Sequence, residues 1–178
     1  RINKIVKVSN GYVIGGNFTG YKNTTADTNF ITASGLIRVD SSNNIAYVYP
    51  MSAGAQINDI KVMSDGSLLV GGSFSTYNGV NNANLVRINV DGTVHSANPA
   101  TKPSGTVNAL AVDASENYFA VTTSQIRKYT SAGAVAAGFT PTSDFLNIEV
   151  RRAIVEGNDL YVLGSKVVSG VLYIAYKY

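Results

Sequence analysis

Hydrophobic and polar residues alternate over short runs along the chain, and clusters of glycine, asparagine, aspartate and serine separate the runs. The first run, Ile2 to Val8, is followed by Ser9-Asn10-Gly11 and then by Tyr12-Val13-Ile14-Gly15-Gly16. A period of two is typical of half-buried strands, and Asn-Gly favours tight hairpin turns because both residues tolerate positive φ. No window carries a sustained period of 3.6 residues. The pattern therefore predicts an all-β chain built from short antiparallel strands.

The same succession of strand and turn recurs along the chain. Each copy opens with a strand-like start and a turn, and a β-rich run and a third apolar run follow. A short fourth segment such as Ile45 to Val48 makes three to four strands per unit. We predict a single repeat domain over residues 1–178, with units of approximately 2–56, 57–106, 107–149 and 150–178, the last incomplete. The four starts are Ile2-Asn3-Lys4-Ile5, Ile57-Asn58-Asp59-Ile60, Val107-Asn108-Ala109-Leu110 and Val150-Arg151-Arg152-Ala153.

Units of about 40 to 55 residues with four strands each point to the blades of a β-propeller. In the second unit, Gly71 to Gly79 (GGSFSTYNG), Leu85 to Asn89 and Asp91-Gly92 resemble the delta-60 repeat, a propeller repeat of large bacterial secreted and surface proteins. The first unit is similar at Gly15 to Tyr21. The third unit has Val121-Thr122 where the glycine pair should be, and the fourth keeps one glycine in Gly164-Ser165. The resemblance implies a blade architecture and transfers no single reaction.

The doubled glycine has two readings. Glycine weakens a strand and is usually kept where backbones approach closely, so we predict that the pair allows blades to pack together. The alternative is a pair of exposed amides that holds an anionic ligand.

About three and a half units are too few for closure, because propellers have about four to eight blades and close to protect their strand edges. We therefore expect a larger or oligomeric assembly. The expected partners are other copies of the chain or further blades of the same polypeptide, besides a surface glycan or protein receptor. The chain begins with Arg1 and no signal-peptide pattern follows, so we expect either that a segment was removed upstream or that the chain is a piece of a longer polypeptide.

Composition narrows the possible functions. Hydrophobic residues make up 45% and charged residues 14% of the chain, and the net charge is +3 with the basic residues scattered. A packed globular fold without a nucleic-acid footprint is expected. The absence of cysteine excludes disulfides, Cys-based zinc sites and thiol catalysis. No apolar run approaches the length of a membrane span.

Candidate catalytic and metal-binding residues are few. His95 is the only histidine, so a Ser-His-Asp triad would have to use it, and we expect a surface-loop residue. Asp40, Asp65 and Asp91 lie in predicted turns, where carboxylates commonly accept hydrogen bonds from backbone amides. The nearest approach to a calcium loop is residues 40–44, DSSNN, which lacks a distal glutamate. We predict no catalytic residue, metal or cofactor.

Candidate binding residues are arginines and tyrosines. Arg38, Arg87 and Arg127 are assigned equivalent places in three units; they would pair with turn carboxylates or form a row for an acidic ligand. Tyr21 and Tyr77 recur after the glycine pair and are the best exposed candidates, since tyrosine joins an apolar ring to a polar tip. Asn78 follows Tyr77 on the same loop and is included with them.

Two functions remain open. The first is a non-catalytic extracellular, cell-surface or virion-surface module, a scaffold with a protein- or glycan-binding surface as in an adhesin, tail fibre or filament. Low charge and the resemblance to repeats of secreted proteins favour it. The alternative is a fragment of a propeller enzyme acting on carbohydrate at its axial mouth, which needs convergent carboxylates or a metal. No such pair stands out, so we expect a protein that is not an enzyme.

Overall fold

The computed structural model describes residues 1–22, 30–140, 148–168 and 171–177, and it is all-β across these ranges. The strands follow the predicted runs closely because turn residues separate them. In chain order they are β1 (Ile2–Val8), β2 (Gly11–Gly16), β3 (Gly20–Tyr21), β4 (Ile31–Thr32), β5 (Leu36–Val39), β6 (Ile45–Val48), β7 (Gln56–Val62), β8 (Leu68–Ser73), β9 (Thr76–Tyr77), β10 (Val80–Asn81), β11 (Leu85–Ile88), β12 (Ala109–Val112), β13 (Tyr118–Val121), β14 (Ile126–Tyr129), β15 (Glu149–Glu156), β16 (Asp159–Val168) and β17 (Val171–Lys177).

Four antiparallel sheets form the blades. Blade 1 has the order β1-β2-β5-β6, blade 2 has β7-β8-β11, blade 3 has β12-β13-β14 and blade 4 has β15-β16-β17. Each blade opens with the predicted hairpin. In blades 2 and 3 single bridges, Ile88 to Val94 and Tyr129 to Val135, stand where blade 1 has its fourth strand. The prediction of propeller-like blades with three to four strands is confirmed.

Turn chemistry explains the hairpins. Gly11 and Gly66 have φ values of +109° and +81° at the turns that open blades 1 and 2. The corresponding turn of blade 3 has no glycine, and Glu116 adopts φ +64° instead. Left-handed backbone is costly for a residue with a Cβ, so the first two turns are better matched to their sequence than the third.

Among the described residues, the hydrophobic core consists of three seams between neighbouring blades and a fourth cluster on the outer face of blade 1, which contains Ile37 and Val39. Seam 1/2 joins blades 1 and 2 and is the largest, seam 2/3 contains Leu69, Leu110 and Tyr118, and seam 3/4 contains Val121 and Ala153. Each seam forms because alternate residues of a strand point to opposite faces of the sheet. Both faces of blades 2 and 3 are therefore buried.

The first glycine of each pair lies where the next blade comes closest. A Cβ on Gly15 would be 2.7 Å from Cγ2 of Ile57 and 2.8 Å from Cδ1 of Ile60. A Cβ on Gly71 would be 2.6 Å from Cγ1 of Val107. The prediction that the glycines let blades pack together is confirmed for the first glycine of each pair.

The second glycine of each pair faces its own blade. A Cβ on Gly16 would overlap the carbonyl oxygen of Arg1, and one on Gly72 would overlap that of Gln56. These contacts are with backbone, which cannot swing aside as a side chain can. Thus the two glycines of a pair have different roles, one between blades and one within a blade.

Strand register corrects the alignment of the fourth unit. Gly15, Gly71, Val121 and Leu163 are opposite the same position of the first strand, so Leu163 replaces the first glycine in blade 4. Gly164 corresponds to the second glycine. It pairs with Val150 as Gly72 pairs with Ile57.

Candidate functional site

The first strands of the four blades lie side by side, and an asparagine links successive blades at one end of them. The side-chain amide of Asn3 donates to the carbonyl oxygen of Ile57 at 2.9 Å, and that of Asn58 donates to Val107 at the same distance. In both cases the acceptor is the residue just before the aligned asparagine of the next blade. The donor is the extra residue of a β-bulge, since pairing skips from Ile2 to Lys4 and from Ile57 to Asp59. A bulge redirects a side chain out of the regular ladder.

This link was missed in the sequence, although the recurring pattern Ile-Asn-x-Ile carries its signal. Blade 3 retains Asn108, whose amide lies 3.5 Å from the carbonyl oxygen of Thr106 in its own loop. Blade 4 has Arg151 at the bulge, and its guanidinium is 2.7 Å from a carboxylate oxygen of Glu149. The asparagine link therefore crosses seams 1/2 and 2/3. At seam 3/4, Asn108 is directed to its own loop, and Arg151 replaces the asparagine of blade 4.

Replacing Asn58 with alanine is expected to lower the free energy of unfolding by about 1–2 kcal/mol, because the carbonyl group of Val107 loses its partner in a partly buried place. Urea denaturation followed by fluorescence of the tyrosines measures the change. Asn108→Ala is the matched control, and it should cost less than half as much because its hydrogen bond is long. Equal losses in the two variants would contradict a linking role for Asn58.

A polar cavity of about 560 Å³ opens at this end of the first strands. Amide side chains predominate in its wall, and a single carboxylate and two guanidinium groups accompany them. The arrangement suits hydrogen bonding to a neutral polar molecule. The wall residues are Arg1, Ile2, Asn3, Asn17, Gln56, Asn58, Asn108, Glu149, Val150 and Arg151.

Further along the first strands, Asp59 is the centre of a charged cluster. Its carboxylate lies 3.2 Å from the ammonium group of Lys4 and 3.6 Å from that of Lys61. It also accepts hydrogen bonds from the backbone amides of Ile60 at 2.9 Å and Leu110 at 3.0 Å. One buried carboxylate thereby joins three blades.

The charges around Lys61 explain its titration. Burial lowers the pKa of Lys61, and the neighbouring charges of Lys4 and Arg152 lower it further, while Asp59 acts in the opposite direction. Asp59 holds the ammonium groups of Lys4 and Lys61 together.

The candidate arginines have different environments. The guanidinium of Arg87 is buried and reaches Asp65 at 2.8 Å, the hydroxyl of Ser67 at 2.8 Å and the carbonyl oxygen of Ser131 at 2.8 Å. The predicted pairing with a turn carboxylate is confirmed for this residue. Since Ser131 belongs to the last turn of blade 3, Arg87 also crosses seam 2/3.

Arg38 and Arg127 do not follow Arg87. Arg38 lies 3.4 Å from the carbonyl oxygen of Asn10, and its Nε is buried without a partner among the described residues. The assigned equivalence of Arg127 is wrong, because Lys128 holds the position of Arg38 and Arg87 in the register, and Arg127 points to the opposite face. Arg127 donates to the carbonyl oxygen of Lys102 at 2.9 Å. The three guanidinium groups therefore form no row.

The two candidate tyrosines also differ. Tyr77 is fully buried in seam 1/2, and its hydroxyl donates to the carbonyl oxygen of Gly92 at 2.5 Å. Burial raises its pKa. The expectation of an exposed Tyr77 is therefore wrong: a bridge to Met51 holds it against the core. Tyr21 is half-buried and donates to the carbonyl oxygen of Asn43 at 2.9 Å, and Asn78 is exposed with φ +50°.

The predicted turn carboxylates accept backbone hydrogen bonds as expected. Asp40 accepts from Ser42 and Asn44, Asp65 from Ser67, and Asp91 from Thr93, at 2.8–2.9 Å. These bonds explain why the pKa values of Asp40 and Asp91 are below the ordinary value. In the described part of the chain, no three His, Cys, Asp or Glu side chains converge as metal ligands do.

His95 is part of the same turn network rather than an isolated loop residue. Its Nε2 is 3.1 Å from Asp65, and its Nδ1 accepts a hydrogen bond from the amide of Ala97 at 3.0 Å. Both ring nitrogens thus have structural partners. Partial burial raises the pKa of Asp65, but hydrogen bonds from Ser67 and the charges of Arg87 and His95 outweigh this and lower it.

Asp65 should make stability depend on acid pH. Because its folded pKa is below the ordinary value of 3.8, its contribution is present above that value and is lost as pH falls through the folded pKa. The thermal midpoint of the natural chain should therefore fall more steeply below about pH 4 than that of Asp65→Asn. The same fall of the thermal midpoint below about pH 4 in both proteins would contradict this role of Asp65.

Lys102 occupies a second polar cluster. Its ammonium group donates to the side-chain oxygens of Asn82 at 3.0 Å and Asn98 at 3.3 Å, and burial lowers its pKa to about 8. Asn98 also accepts the backbone amide of Arg87 at 2.9 Å. The cluster fixes the loop that leads from blade 2 to blade 3.

The outer faces of blades 1 and 4 expose apolar side chains, although Ile37 and Val39 on the blade 1 face are buried in the fourth cluster. On blade 1, Ile2 and Ile5 are 56% and 53% exposed, and on blade 4, Ile154 and Leu163 are 47% and 49% exposed. A groove of about 470 Å³ runs over the blade 4 face between Arg152 and Leu163. These positions correspond to residues that fill the seams elsewhere.

Comparison with known proteins agrees with the architecture. Residues 64–94, in blade 2, match a family described as a domain of unknown function (DUF5122) beta-propeller. No curated protein matches the chain. Within the described ranges, no helix has the length and hydropathy that a bilayer span requires.

Two solved structures share the fold over nearly the whole chain. A protein of unknown function from Bacteroides caccae is 12% identical with a TM-score of 0.55, and the match covers 99% of this chain and 60% of that one. The extracellular domain of a putative one-component system from B. thetaiotaomicron is 18% identical with a TM-score of 0.53, covering 98% and 27%. The chain therefore spans less than two thirds of either structure. At these identities the likeness concerns the fold alone.

Proposed function

We propose that the chain is a non-catalytic propeller module of the delta-60 repeat kind, which acts outside the cell or on a virion surface as a scaffold joined to further blades. The observation that carries this proposal is the exposed apolar side chains on the outer faces of blades 1 and 4. Ile2 and Ile5 occupy the positions of Ile57 and Ile60, which are fully buried in seam 1/2. Exposed apolar surface of this kind typically marks an interaction site.

The polar side chains support the same proposal. Arg87, Asp59 and Asn58 are engaged in holding blades together, and the buried Tyr77 closes a turn. The extracellular setting is supported by the resemblance to repeats of secreted proteins and by a fold neighbour that is itself an extracellular domain.

The test is the intact mass of the natural polypeptide together with light scattering of its native particle. Further blades from the same polypeptide would give a mass well above 18.8 kDa. Blades from other chains would give a larger particle built from a polypeptide of about that mass. A monomeric native particle of 18.8 kDa would overturn the proposal.

Binding of a neutral saccharide in the polar cavity at the end of the first strands is a second candidate function, favoured by the amide-rich wall of that cavity. The side chains of Asn17 and Gln56 line that cavity. Amide resonances of Gln56 and Asn58 should shift when neutral mono- and disaccharides are titrated into labelled protein. Gln56→Leu should reduce the shifts, while Gln125→Leu, at a distant loop, is the control. Unchanged spectra across the saccharide panel would exclude this function.

A further inference from the structure

The seams follow a rule of matched size. In seam 1/2, Gly15 faces Ile57 and Ile60, and in seam 2/3, Gly71 faces Val107 and Leu110. In seam 3/4, the glycine is replaced by the larger Val121, and the residue at the position of Ile60 is the smaller Ala153. The larger side chain at the first-glycine position of blade 3 is thus matched by a smaller side chain on blade 4.

Seam 1/2 also shows a match of charge. Lys4, Asp59, Ala109 and Arg152 hold one position, since each is directly opposite the residue at the first-glycine position of its own blade. Residues directly opposite each other in a sheet point to the same face. Lys4 therefore points to blade 2, where its ammonium group meets Asp59, the residue at the same position of that blade.

On blade 4, Arg152 and Leu163, which hold the Lys4 position and the first-glycine position, are exposed to solvent. Arg152 is exposed beside Leu163, and Ile154 and Tyr161 continue the same face. By analogy with Lys4 and Asp59 in seam 1/2, a carboxylate at the same position of a neighbouring blade would match Arg152. By the size rule, Leu163 requires a small residue, as Val121 has Ala153.

We propose that the open face of blade 4 binds a further blade of this repeat type, whose first strand carries a carboxylate opposite Arg152 and a small side chain opposite Leu163. The proposal rests on the scaffold function above and specifies its partner. Blade 1 of a second copy does not fit, because it would present Lys4 to Arg152 and the bulky Ile5 to Leu163. Like charges in contact and an overfilled seam both oppose that association.

The rule can be tested by changing the blade 4 face to suit blade 1. In the double variant Arg152→Asp with Leu163→Gly, a carboxylate would meet Lys4 of a second copy and a glycine would receive Ile2 and Ile5. Sedimentation velocity over a range of concentrations should show self-association at least tenfold tighter than that of the natural chain. Arg152→Asp and Leu163→Gly alone should give intermediate values.

A second double variant changes blade 1 instead of blade 4, so that the test still applies if the first variant does not fold. Lys4→Gln with Ile5→Ala removes the charge conflict and the excess bulk from blade 1, and it should also raise self-association. Ile5→Asp added to either double variant should abolish the gain. Circular dichroism and a cooperative thermal transition establish that each variant is folded.

The outcomes separate the two proposals. Tight head-to-tail association of the natural chain, lost in Ile5→Asp and in Leu163→Asp, would make a second copy the occupant and overturn the matching rule while leaving the scaffold function standing. Folded double variants that associate no more than the natural chain would also overturn the rule. A monomeric native particle of 18.8 kDa would instead remove the scaffold function itself.

In the native particle, Arg152→Glu supplies the direct test of charge. Opposite a carboxylate it should weaken the attachment of the partner blade at least tenfold, whereas opposite Lys4 of a second copy it should strengthen attachment. Arg151→Gln is the control, because Arg151 is the neighbouring residue and lines the polar cavity instead. Strengthening by Arg152→Glu would overturn the proposal.

Discussion

Gly71→Val is expected to lower the free energy of unfolding by about 3 kcal/mol, because added atoms in a packed core displace their neighbours. The new Cβ alone would be 2.6 Å from Cγ1 of Val107 and 3.2 Å from Cγ of Leu110. Valine has a higher strand propensity than glycine, so the loss would come from the seam and not from the strand. Urea denaturation of the single variant measures it.

The blade 3 arrangement provides the compensating change. Gly71→Val combined with Leu110→Ala reproduces the pair Val121 and Ala153 found in seam 3/4. Leu110→Ala alone leaves a cavity and should cost about 2–5 kcal/mol. The double variant should cost at least about 1 kcal/mol less than the sum of the single changes, as contacting sites are not additive. Strict additivity would contradict the close-packing role of Gly71.

Asp59→Ala is expected to cost about 3–5 kcal/mol, the range for removing one partner of a buried ion pair. The change leaves the backbone amide of Leu110 without its acceptor and two ammonium groups without their shared carboxylate. The pKa of Lys61 should fall further, since Asp59 is the group that raises it.

Asp59→Asn separates the hydrogen bonds from the charge. Its amide oxygen can still accept from Leu110, so its loss of stability should lie between those of the natural chain and Asp59→Ala. Chemical denaturation gives the three free energies of unfolding, and NMR titration of the lysine side chains gives the pKa. An alanine variant as stable as the natural chain would exclude a joining role for Asp59.

The repeat pattern predicted the strands and hairpins because local chemistry fixes them. Period-two alternation and the Asn-Gly and Asp-Gly turns act within about ten residues, and β1, β2, β7 and β8 formed where they indicated. The glycine pairs could likewise be read as packing residues, since their recurrence coincided with the repeat.

The misassigned residues depend on longer-range geometry. Tyr77 follows a glycine pair and resembles a loop residue in sequence, but its hydroxyl is satisfied by Gly92, fifteen residues away. Arg127 was misaligned by one position, because blade 3 lacks the glycine pair that marks the register. Asn58 bonds to Val107 and Asp59 bonds to Leu110, each about fifty residues away along the chain. The sequence pattern does not show which residues so far apart come into contact.

The main contacts between blades join neighbours, with β7 packed against β1 and β2 on one side and against β12 on the other, and β12 packed against β15. Units that contact only their neighbours can begin to fold at any seam and extend outward. Unfolding of the isolated chain should likewise begin at blades 1 and 4, where one face has no neighbouring blade. Amide hydrogen exchange should then be slowest in β8 and β13, in the two middle blades, and faster in β2 of blade 1. The order of the exchange rates would therefore show whether a blade lies in the middle or at an end of the row.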